Sequence, residues 1–418
     1  MIARPVGCVV RTLGDTILAA LPGARIGDGV RVRRADGTLL DGEVAAVERG
    51  RVAIAPMGAL TGVAVGDRVA IDAEALAVPV GIGALGRGFD AAGRPIDDGE
   101  PPARATAIVD RSSAPVPGDR QPIRDVFWTG IRAVDGLLAI GRGARVGLFG
   151  APGAGKTTLL ETIAAGARGD AVVIALVGER GREAQAWLAR RDRRTTIVCA
   201  TSDRSAAERV RAADVAMTQA EYLRGRGAHV VLIVDSLARY TAALREQRVA
   251  LGEPVGRGGY PPTVWAELAR YLERAGNAAS GSITLLATVL SDGADDREPL
   301  SDAARSLLDG HIVLSSALAR AQHFPAIDVV GSTSRTMSDV VSAGHARDAT
   351  AVRAALARLS ETGEARALGL ANYADPALAA AVEAEGALQA FLRQSGSAEP
   401  SATLRGLHSV AALVERRS

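Results

Sequence analysis

The sequence predicts an α/β protein in which a parallel sheet covered by helices follows a small β-barrel and precedes a helical region. Three patterns support this fold. Short apolar–polar alternations, separated by Gly-Asp and Asp-Gly turns, recur about every ten residues over 6–72, as in small barrels. From residue 80 to 343, apolar β-rich runs alternate with helix-like stretches, which is typical of parallel sheets. Residues 344–418 carry only helical patterns.

These patterns predict three domains, at residues 1–75, 76–343 and 344–418. The barrel segment contains no aromatic residue, and the first in the chain is Phe89. In the second domain, strands are predicted at 146–149, 171–177, 230–234 and 283–289, and helices at 157–167 and 262–274.

The last predicted helix follows a Gly/Ser-rich linker at residues 396–401. Ser401 or Thr403 is a candidate cap for it, because hydroxyl oxygens accept bonds from the free N–H groups of a first helical turn. Helical spacing then puts on one apolar face Leu404, Leu407, Val410 and either Leu413 or Val414.

The basic residues are almost all arginine, since Lys156 is the only lysine among 49 Lys and Arg residues. A mechanism that needs two lysines is therefore excluded, as is a GTPase, whose base-reading N-K-x-D motif needs a second lysine. A protein-kinase site is excluded unless Lys156 were its phosphate lysine. The net charge of +2 provides no general attraction to nucleic acid or anionic membranes.

The cysteine and hydropathy patterns indicate the redox compartment and bear on secretion and membrane insertion. Cys8 and Cys199 match no metal or redox spacing, which predicts small buried or half-buried thiols in a reducing cytosol. No basic-then-apolar leader opens the sequence and no run of 18 apolar residues occurs in it. We therefore expect neither a signal peptide nor a membrane-spanning helix.

The segment from Gly150 to Thr157 matches the phosphate-binding pattern G-x-x-x-x-G-K-[ST], between a predicted strand and a predicted helix. Its glycines let successive N–H groups turn toward phosphate oxygens, and the helix N-terminus adds its dipole. Lys156 is expected to reach the β and γ phosphates of ATP, and the Thr157 hydroxyl to bind Mg²⁺. A Gly-rich turn with a surface lysine is the disfavoured alternative. The predicted nucleotide-binding residues here are Gly150, Ala151, Pro152, Gly153, Ala154, Gly155, Lys156, Thr157 and Thr158.

A carboxylate follows the apolar run 230–234. Asp235 in this position can hold Mg²⁺ through the water shell of the ion. The alternative is a structural role, in which Asp235 and Ser236 cap the helix that follows.

A second acidic segment, residues 178–183, follows the apolar run 171–177. Glu179 is the candidate general base, because an acid at the end of a strand beside the phosphate strand can polarise an attacking water. Glu183, one helical turn further on, is a candidate support for Mg²⁺ or its water. The alternative is that the segment is a solvated charge run.

Residues 178–183, Gly-Glu-Arg-Gly-Arg-Glu, resemble the catalytic signature of the rotary ATP synthase catalytic subunit and its export relatives. The resemblance to the type III protein-export ATPases extends from about residue 7 to 395. The runs Leu-Asp-Gly-His-Ile-Val-Leu-Ser and Gly-Tyr-Pro-Pro are the ones most specific to the export ATPases. Segments that carry the resemblance are 235–240, 252–254, 259–264, 272–276, 308–315, 323–328 and 334–337.

The resemblance implies a RecA-like ATPase core and roles for single residues. Lys156 and Glu179 would be catalytic, with Arg180 and Glu183 organising the site and the metal shell. Phe324 stands where the family places an aromatic side chain that stacks on adenine. Arg335 would be an arginine finger donated to the γ-phosphate of a neighbouring subunit. Core packing of Phe324 and a solvated surface role of Arg335 are the alternatives.

The resemblance also implies the function: ATP hydrolysis with Mg²⁺ by a homohexamer that energises type III protein secretion. The enzyme would detach and unfold effector–chaperone cargo at the export gate, in the cytoplasm at the inner face of the cytoplasmic membrane. Implied partners are a stator-type peripheral stalk protein, a central-stalk coiled-coil protein, chaperones and effectors, and the export gate, with no nucleic acid. The barrel would serve oligomerisation, and the helical domain would contact cargo and chaperones.

Three departures from the family pattern stand out. Ala294 replaces an acid within 289–296, Thr336 replaces a valine, and the Lys-Gly that usually follows a motif such as 369–373 is missing. Barrel-like sequence begins within about six residues of the start. The last point favours an injectisome enzyme over a flagellar one, or indicates a truncated start.

Other functions remain as alternatives. A rotary synthase catalytic subunit would use the same residues but need a noncatalytic partner. A nucleic-acid motor normally carries aromatic stacking platforms, which residues 1–88 lack. A nonhydrolytic scaffold is disfavoured by Glu179. Residues 254–260 are interpreted either as a loop facing a hexamer pore or as a plain Gly/Pro turn.

Overall fold

The computed structural model describes residues 6–100, 105–109, 114–291 and 298–415. The chain divides into two compact units. One consists of Met1–Val116 and Ala171–Arg274, and the other of Pro117–Asp170 and Ala275–Ser418.

The first residues of the first unit form a closed six-stranded antiparallel barrel, as the sequence predicts. Every second side chain of its strands points inward, and the core includes Ile17, Val32, Val44 and Ile54. Gly37 completes the Asp-Gly turn between the third and fourth strands with a φ of 84°. In chain order the strands are β1 (Val6–Leu13), β2 (Thr16–Ala20), β3 (Gly29–Arg33), β4 (Leu39–Glu48), β5 (Arg51–Pro56) and β6 (Arg68–Ile71).

The next stretch of chain contributes short strands, the phosphate-loop strand and the helix after the loop. Its elements are β7 (Ala77–Pro79), β8 (Gly88–Asp90), β9 (Thr106–Ile108), β10 (Val126–Phe127), α1 (Arg132–Leu137), β11 (Ile140–Gly141), β12 (Arg145–Gly150) and α2 (Lys156–Gly166).

Strands and helices then alternate in the first unit. These elements are β13 (Ala171–Glu179), α3 (Gly181–Arg190), β14 (Thr195–Thr201), α4 (Ala206–Arg224), β15 (His229–Asp235), α5 (Leu237–Ala250) and α6 (Pro262–Glu273). Strand β13 lies between β14 and β15, β8 lies beyond β14, and all these pairs are parallel. Strands β13 and β15 are buried along their whole length, which explains why their sequences are uninterrupted apolar runs.

The second unit continues with strands and short helices. These are β16 (Gly276–Asn277), β17 (Ser282–Leu290), α7 (Pro299–Leu307), β18 (Gly310–Leu314), α8 (Ser316–Arg320), β19 (Ile327–Ser334) and α9 (Met337–Val340). Strand β12 lies between β17 and β18 and is parallel to both, while β19 runs antiparallel to β18. The parallel strands of the two units confirm the predicted α/β core.

The end of the chain is helical, as predicted, with α10 (Ala343–Glu361), α11 (Gly363–Ala367), α12 (Pro376–Leu392) and α13 (Pro400–Glu415). Helices α6, α7, α12 and α13 each begin with a proline, whose missing N–H costs nothing in the first helical turn. Helices α10, α12 and α13 pack on one another and on α1.

The predicted cap of the last helix is wrong, whereas its predicted apolar face is confirmed at Leu407, Val410 and Val414. Helix α13 begins at Pro400, so Ser401 and Thr403 lie inside its first turn and neither is its cap. The proline takes the first position because its fixed φ suits a helix start. On the apolar face, Leu407, Val410 and Val414 are buried, whereas Leu413 is exposed to solvent.

The cysteines match their prediction only in part. Cys199 is buried on β14, and burial raises the pKa of its thiol to about 11. Cys8 is exposed, because it occupies an outward position of β1 on the barrel surface. Among the described residues, none of the helices combines the length and the apolar character needed to traverse a bilayer.

A buried charge network ties α6 to α4 in the first unit. Arg274, only 1% exposed, donates hydrogen bonds to Glu221 at 2.7 and 2.9 Å and to Asp214 at 3.1 Å. Burial disfavours the charged guanidinium. The bonds to Glu221 and the charges of both carboxylates outweigh burial, so that the pKa of Arg274 lies above its usual value.

We expect Arg274→Ala to lower the free energy of unfolding by about 3–5 kcal/mol, because it leaves largely buried carboxylates without their counter-charge. Denaturant unfolding followed by circular dichroism measures the loss. Arg358→Ala is the matched control, since its pair with Asp375 has side chains 47% and 41% exposed and should contribute less than about 1 kcal/mol. Equal losses in the two variants would contradict this account.

Candidate functional site

The phosphate loop connects β12 to α2 in the second unit, as its sequence predicts. Gly153 and Gly155 have φ values of 81° and 92°, a left-handed backbone that other residues rarely adopt. Apart from the adjacent residues of the chain, no atom of the described residues lies within 4 Å of where a Cβ would stand on either glycine. The two glycines are therefore required by the backbone conformation and not by crowding, and the space beside them is open.

The ammonium group of Lys156 lies against this loop. Its Nζ donates hydrogen bonds to the carbonyl oxygens of Gly150 at 2.5 Å and Ala151 at 2.8 Å. Lys156 begins α2, so the N–H groups of the first helical turn face the same region. Thr157 and Thr158 are exposed at this helix end. The loop thus gathers a positive charge, a helix N-terminus and free hydroxyl groups.

A cavity of about 360 Å³ adjoins the loop within the second unit. Ala154, Gly155 and Thr158 line one side, and Phe324 with Pro325 lines another. Phe324 is 44% exposed, so the interpretation of this residue as ordinary core is wrong. An exposed aromatic ring beside a phosphate loop is suited to stack on a nucleobase.

The cavity also has a wall that sequence reasoning missed. Gln394, Ser395 and Gly396 line it, although residues 396–401 were predicted to be a linker. The backbone N–H of Ala398 donates to the Gly130 carbonyl at 2.8 Å, and Pro400 already belongs to α13. The predicted linker is present at 396–399, but it ends before Pro400, and it packs on the protein because a Gly/Ser-rich composition permits close backbone approach.

Glu179 ends β13 in the first unit and is buried. Gly178 has a φ of 68° at a bulge between β13 and β14, which redirects the chain just before the carboxylate. Arg239, on the first turn of α5, forms an ion pair with Glu179, and burial lowers the pKa of Arg239. Sequence reasoning did not assign Arg239; the available signal was its place in the family-like segment 235–240.

Asp235 is the last residue of β15 and is buried. Strand β15 is parallel to β13, with Asp235 opposite Leu176, so Asp235 and Glu179 both lie at the carboxyl edge of these strands. The N-cap of α5 is Ser236, whose Oγ accepts a hydrogen bond from the Arg239 N–H at 3.3 Å. Helix capping therefore belongs to Ser236 and not to Asp235.

The rest of the acidic segment is more exposed than Glu179. Arg180 occupies the N-cap position of α3 and is exposed, while Glu183 lies in the first turn of that helix and is half-buried. The interpretation as a solvated charge run is correct for Arg180 and wrong for Glu179. The buried carboxylate is the one suited to chemistry that needs low water access.

Arg335 follows β19 in the second unit and is exposed. Its backbone N–H donates to the Asp309 carbonyl at 2.9 Å, and its guanidinium donates to the Arg305 carbonyl at 3.1 Å. The neighbouring Thr336 is buried, and its hydroxyl accepts a hydrogen bond from the Gly141 N–H at 3.0 Å. Threonine at this departure from the family pattern therefore has a structural role.

Two other predicted loops have different outcomes. In 254–260, Gly258 and Gly259 have φ values of 67° and 78°, and Tyr260 packs on Trp265 with ring centroids 4.9 Å apart. The backbone is thus a Gly/Pro turn, and a pore-facing role stays a prediction. The segment that contains Ala294 lies outside the described residues, as do all of 292–297.

The residues fit a nucleoside triphosphate. The open cradle over Gly153 and Gly155, the lysine ammonium and the exposed Thr157 hydroxyl suit a phosphate chain, and the neighbouring cavity suits a base. In the part of the chain that the structure describes, no three His, Cys, Asp or Glu side chains group as metal ligands. Mg²⁺ keeps several waters and is held by phosphates and one or two protein oxygens, and the exposed Thr157 hydroxyl is such an oxygen.

Known proteins share this architecture. Residues 130–334 match the ATP synthase alpha/beta family, nucleotide-binding domain. A type 3 secretion system ATPase of Sinorhizobium fredii is 42% identical over 93% of this chain and 88% of its own length. A flagellum-specific ATP synthase of Pseudomonas aeruginosa is 39% identical over 94% of this chain and 90% of its own.

The same relationship holds for a solved structure. The assembled ATPase EscN of the enteropathogenic E. coli type III secretion system, in complex with its central stalk EscO, matches with a TM-score of 0.88 and 38% identity. The match covers 97% of this chain and 100% of that one. With this identity over nearly the whole length, the chain belongs to the type III protein-export ATPases, a family with the nucleotide-binding domain of the ATP synthase alpha and beta subunits.

Proposed function

We propose that the chain hydrolyses ATP in the presence of Mg²⁺, as a homohexamer, to energise type III protein secretion. The observation that carries the proposal is the cavity with Phe324 beside the phosphate loop and its single lysine. The strand-end carboxylates Glu179 and Asp235 provide the hydrolytic chemistry that a mere nucleotide-binding scaffold would not need.

In this proposal the phosphate loop binds the triphosphate. Backbone N–H groups at the end of the loop and in the first turn of α2 donate to phosphate oxygens, and the Lys156 ammonium leaves the Gly150 and Ala151 carbonyls to meet the β and γ phosphates. The adenine base stacks on Phe324. Thr157 and Asp235 would hold Mg²⁺, directly or through water, with Glu183 supporting its shell. The ion would supply charge neutralisation on the phosphate chain.

Glu179 is the proposed general base, which orients and polarises the attacking water. Its ion pair with Arg239 places a guanidinium against the carboxylate and orients it. Arg180, exposed beside it, would help to organise the site. Burial of Glu179 strengthens these interactions because the local dielectric is lower than that of water.

The proposed assembly explains the exposure of Arg335. A guanidinium that serves a neighbouring subunit must lie on the surface of its own, and Arg335 does. The relative EscN is described as an assembled ATPase. We propose the domain division 1–75, 76–343 and 344–418, with the barrel supporting oligomerisation.

The helical domain offers a surface for partners. Leu368, Leu370 and Tyr373 are 73%, 75% and 52% exposed between α11 and α12, an apolar group that a monomer in water gains nothing by exposing. EscN forms a complex with its central stalk EscO. We propose a central-stalk coiled coil as the partner of this surface.

Further proposed partners are a stator-type peripheral stalk protein, chaperones with their effectors, and the export gate at the cytoplasmic face of the inner membrane. Nucleic acid is not among them.

An injectisome is the proposed machine. Since relatives include a flagellum-specific enzyme at 39% identity, the flagellar export machine is the second candidate. Pull-down from cells separates the two, because rod and hook proteins indicate a flagellum and needle proteins an injectisome.

We expect Lys156→Ala to abolish ATP binding, since no other lysine can replace the lost ammonium. Titration with a fluorescent ATP analogue measures the affinity. Lys156→Arg is the matched control for charge, and should bind poorly as well because a planar guanidinium does not fit a site built for a compact ammonium. Affinity like that of the wild type in Lys156→Ala would rule out the phosphate-loop assignment.

Glu179→Gln should bind ATP normally but hydrolyse it at least ~10²-fold more slowly, because the amide cannot accept the proton of water. Phosphate release measures turnover, and the same titration measures binding. Glu383→Gln, on the exposed face of α12, is the control and should behave like the wild type. Undiminished turnover in Glu179→Gln would remove Glu179 as the base.

Arg335→Ala should lose turnover only in the assembled state, because the guanidinium acts in a neighbour's site. Mixing Arg335→Ala with Lys156→Ala before assembly tests this directly. In mixed hexamers, subunits with an intact phosphate loop receive Arg335 from the other variant, so activity should return. If the mixture stays as inactive as its components while forming hexamers, the finger does not act between subunits.

A further inference from the structure

The segment 393–399 between α12 and α13, called the strap below, forms part of the base cavity. Gln394, Ser395 and Gly396 line that cavity opposite the phosphate loop. The strap is therefore the place where the C-terminal helices and the nucleotide site share residues. None of the roles proposed above uses it.

Gln394 is held by hydrogen bonds from both its side chain and its backbone. Its Oε1 accepts a hydrogen bond from the Arg132 N–H at 2.8 Å, and its Nε2 donates to the carbonyls of Gly130 at 2.6 Å and Gly396 at 2.7 Å. The backbone N–H of Gln394 donates to the Phe324 carbonyl at 2.9 Å. Both ends of the carboxamide are thus engaged by the protein.

These bonds join the strap to the start of α1 and to the Phe324 backbone. Arg132 is the first residue of α1, whose N–H has no partner within its own helix, and Gln394 supplies one. The Arg132 guanidinium in turn donates to the carbonyls of Ala390, at 3.3 Å, and Arg393 near the end of α12. The bond to Phe324 holds the backbone that carries the aromatic ring. The Gln394 side chain therefore anchors the strap to Gly130 and to the start of α1, while the backbone N–H of the same residue, which any substitution there except proline keeps, holds Phe324.

Close packing couples the position of the strap to the backbone at Gly130 and Gly166. A Cβ on Gly130 or Gly166 would lie 2.1 or 2.3 Å from the Ser397 Oγ, so a side chain at either position would force Ser397 to move. Gly130 also has a φ of 80°. Two glycines therefore create the space for Ser397, and the strap lies directly on the backbone before α1 and at the end of α2.

We infer that Gln394 is a positioning residue for the nucleotide base: its carboxamide anchors the strap to Gly130 and α1 and does not contact the base, and the anchored strap in turn holds Phe324 through its backbone. The inference rests on the proposed ATPase function. It follows that loss of Gln394 weakens the binding of ligands that carry a base and leaves the binding of a bare phosphate chain unchanged.

The experiment compares two probes, ATP and inorganic tripolyphosphate, which has the phosphates without base or ribose. Gln394→Ala should weaken the Kd for ATP about tenfold and change the Kd for tripolyphosphate less than about twofold, while kcat at saturating ATP stays near the wild-type value. Gln389→Ala, five residues earlier on α12, is the matched control and should alter neither affinity.

Gln394→Glu tests the mechanism with almost the same shape. The carboxylate still accepts from the Arg132 N–H but cannot donate to Gly130 and Gly396, so ATP affinity should fall at pH 7.5. Below the pKa of the new carboxyl, its proton restores one donation, and the ratio of variant to wild-type affinity should rise. This pH-dependent recovery is not expected if the residue only fills space, and it remains measurable if Gln394→Ala folds poorly.

Unchanged ATP affinity in both variants would overturn the inference, as would equal loss of ATP and tripolyphosphate binding. If the wild-type chain itself binds neither probe, the proposed function fails together with the inference. If the wild type binds both probes and the Gln394 variants bind them with the same affinities, the proposed function stands and the role of Gln394 does not.

Discussion

The direction of the backbone N–H groups in the phosphate loop is the constraint on which the rest of the site depends. That direction requires left-handed φ values at Gly153 and Gly155, and it requires β12 and α2 to hold the two ends of the loop. Strand β12 is held in turn by parallel neighbours on both sides. In the proposed site, the buried sheet therefore holds a glycine-rich segment as a preorganised anion-binding loop, which the ammonium of Lys156 would complete.

Although the chain is rich in arginine, several of its arginines bind defined carboxylate or carbonyl partners. Arg239 pairs with the buried Glu179, Arg274 joins α6 to α4, and Arg132 holds the end of α12. These arginines work as forked donors to carboxylates or carbonyls. The single lysine stands in the phosphate-loop motif, where in the proposed site a compact point charge would meet phosphate.

Local patterns were enough to predict much of the fold and part of the site. Alternation with Gly-Asp turns predicted the barrel, and the apolar runs before Gly150, Glu179 and Asp235 predicted three strands whose carboxyl ends carry polar groups. Contacts between distant segments were not predictable in this way. The partner of Glu179 lies 60 residues away among 48 arginines, and the strap has the composition of a linker although it packs on the backbone near Gly130 and Gly166. A helix start at Pro400 was missed because two hydroxyl residues follow it and compete as caps.

The central claim is that this chain hydrolyses ATP with Mg²⁺ in sites completed by neighbouring subunits. The most direct test is the rate of phosphate release per subunit as a function of protein concentration, with Mg²⁺ and with a chelator. The account predicts Mg²⁺-dependent release whose rate per subunit rises steeply as the hexamer forms and then reaches a plateau. A rate per subunit that is the same in dilute monomer and in hexamer, or no release at any concentration, would contradict it.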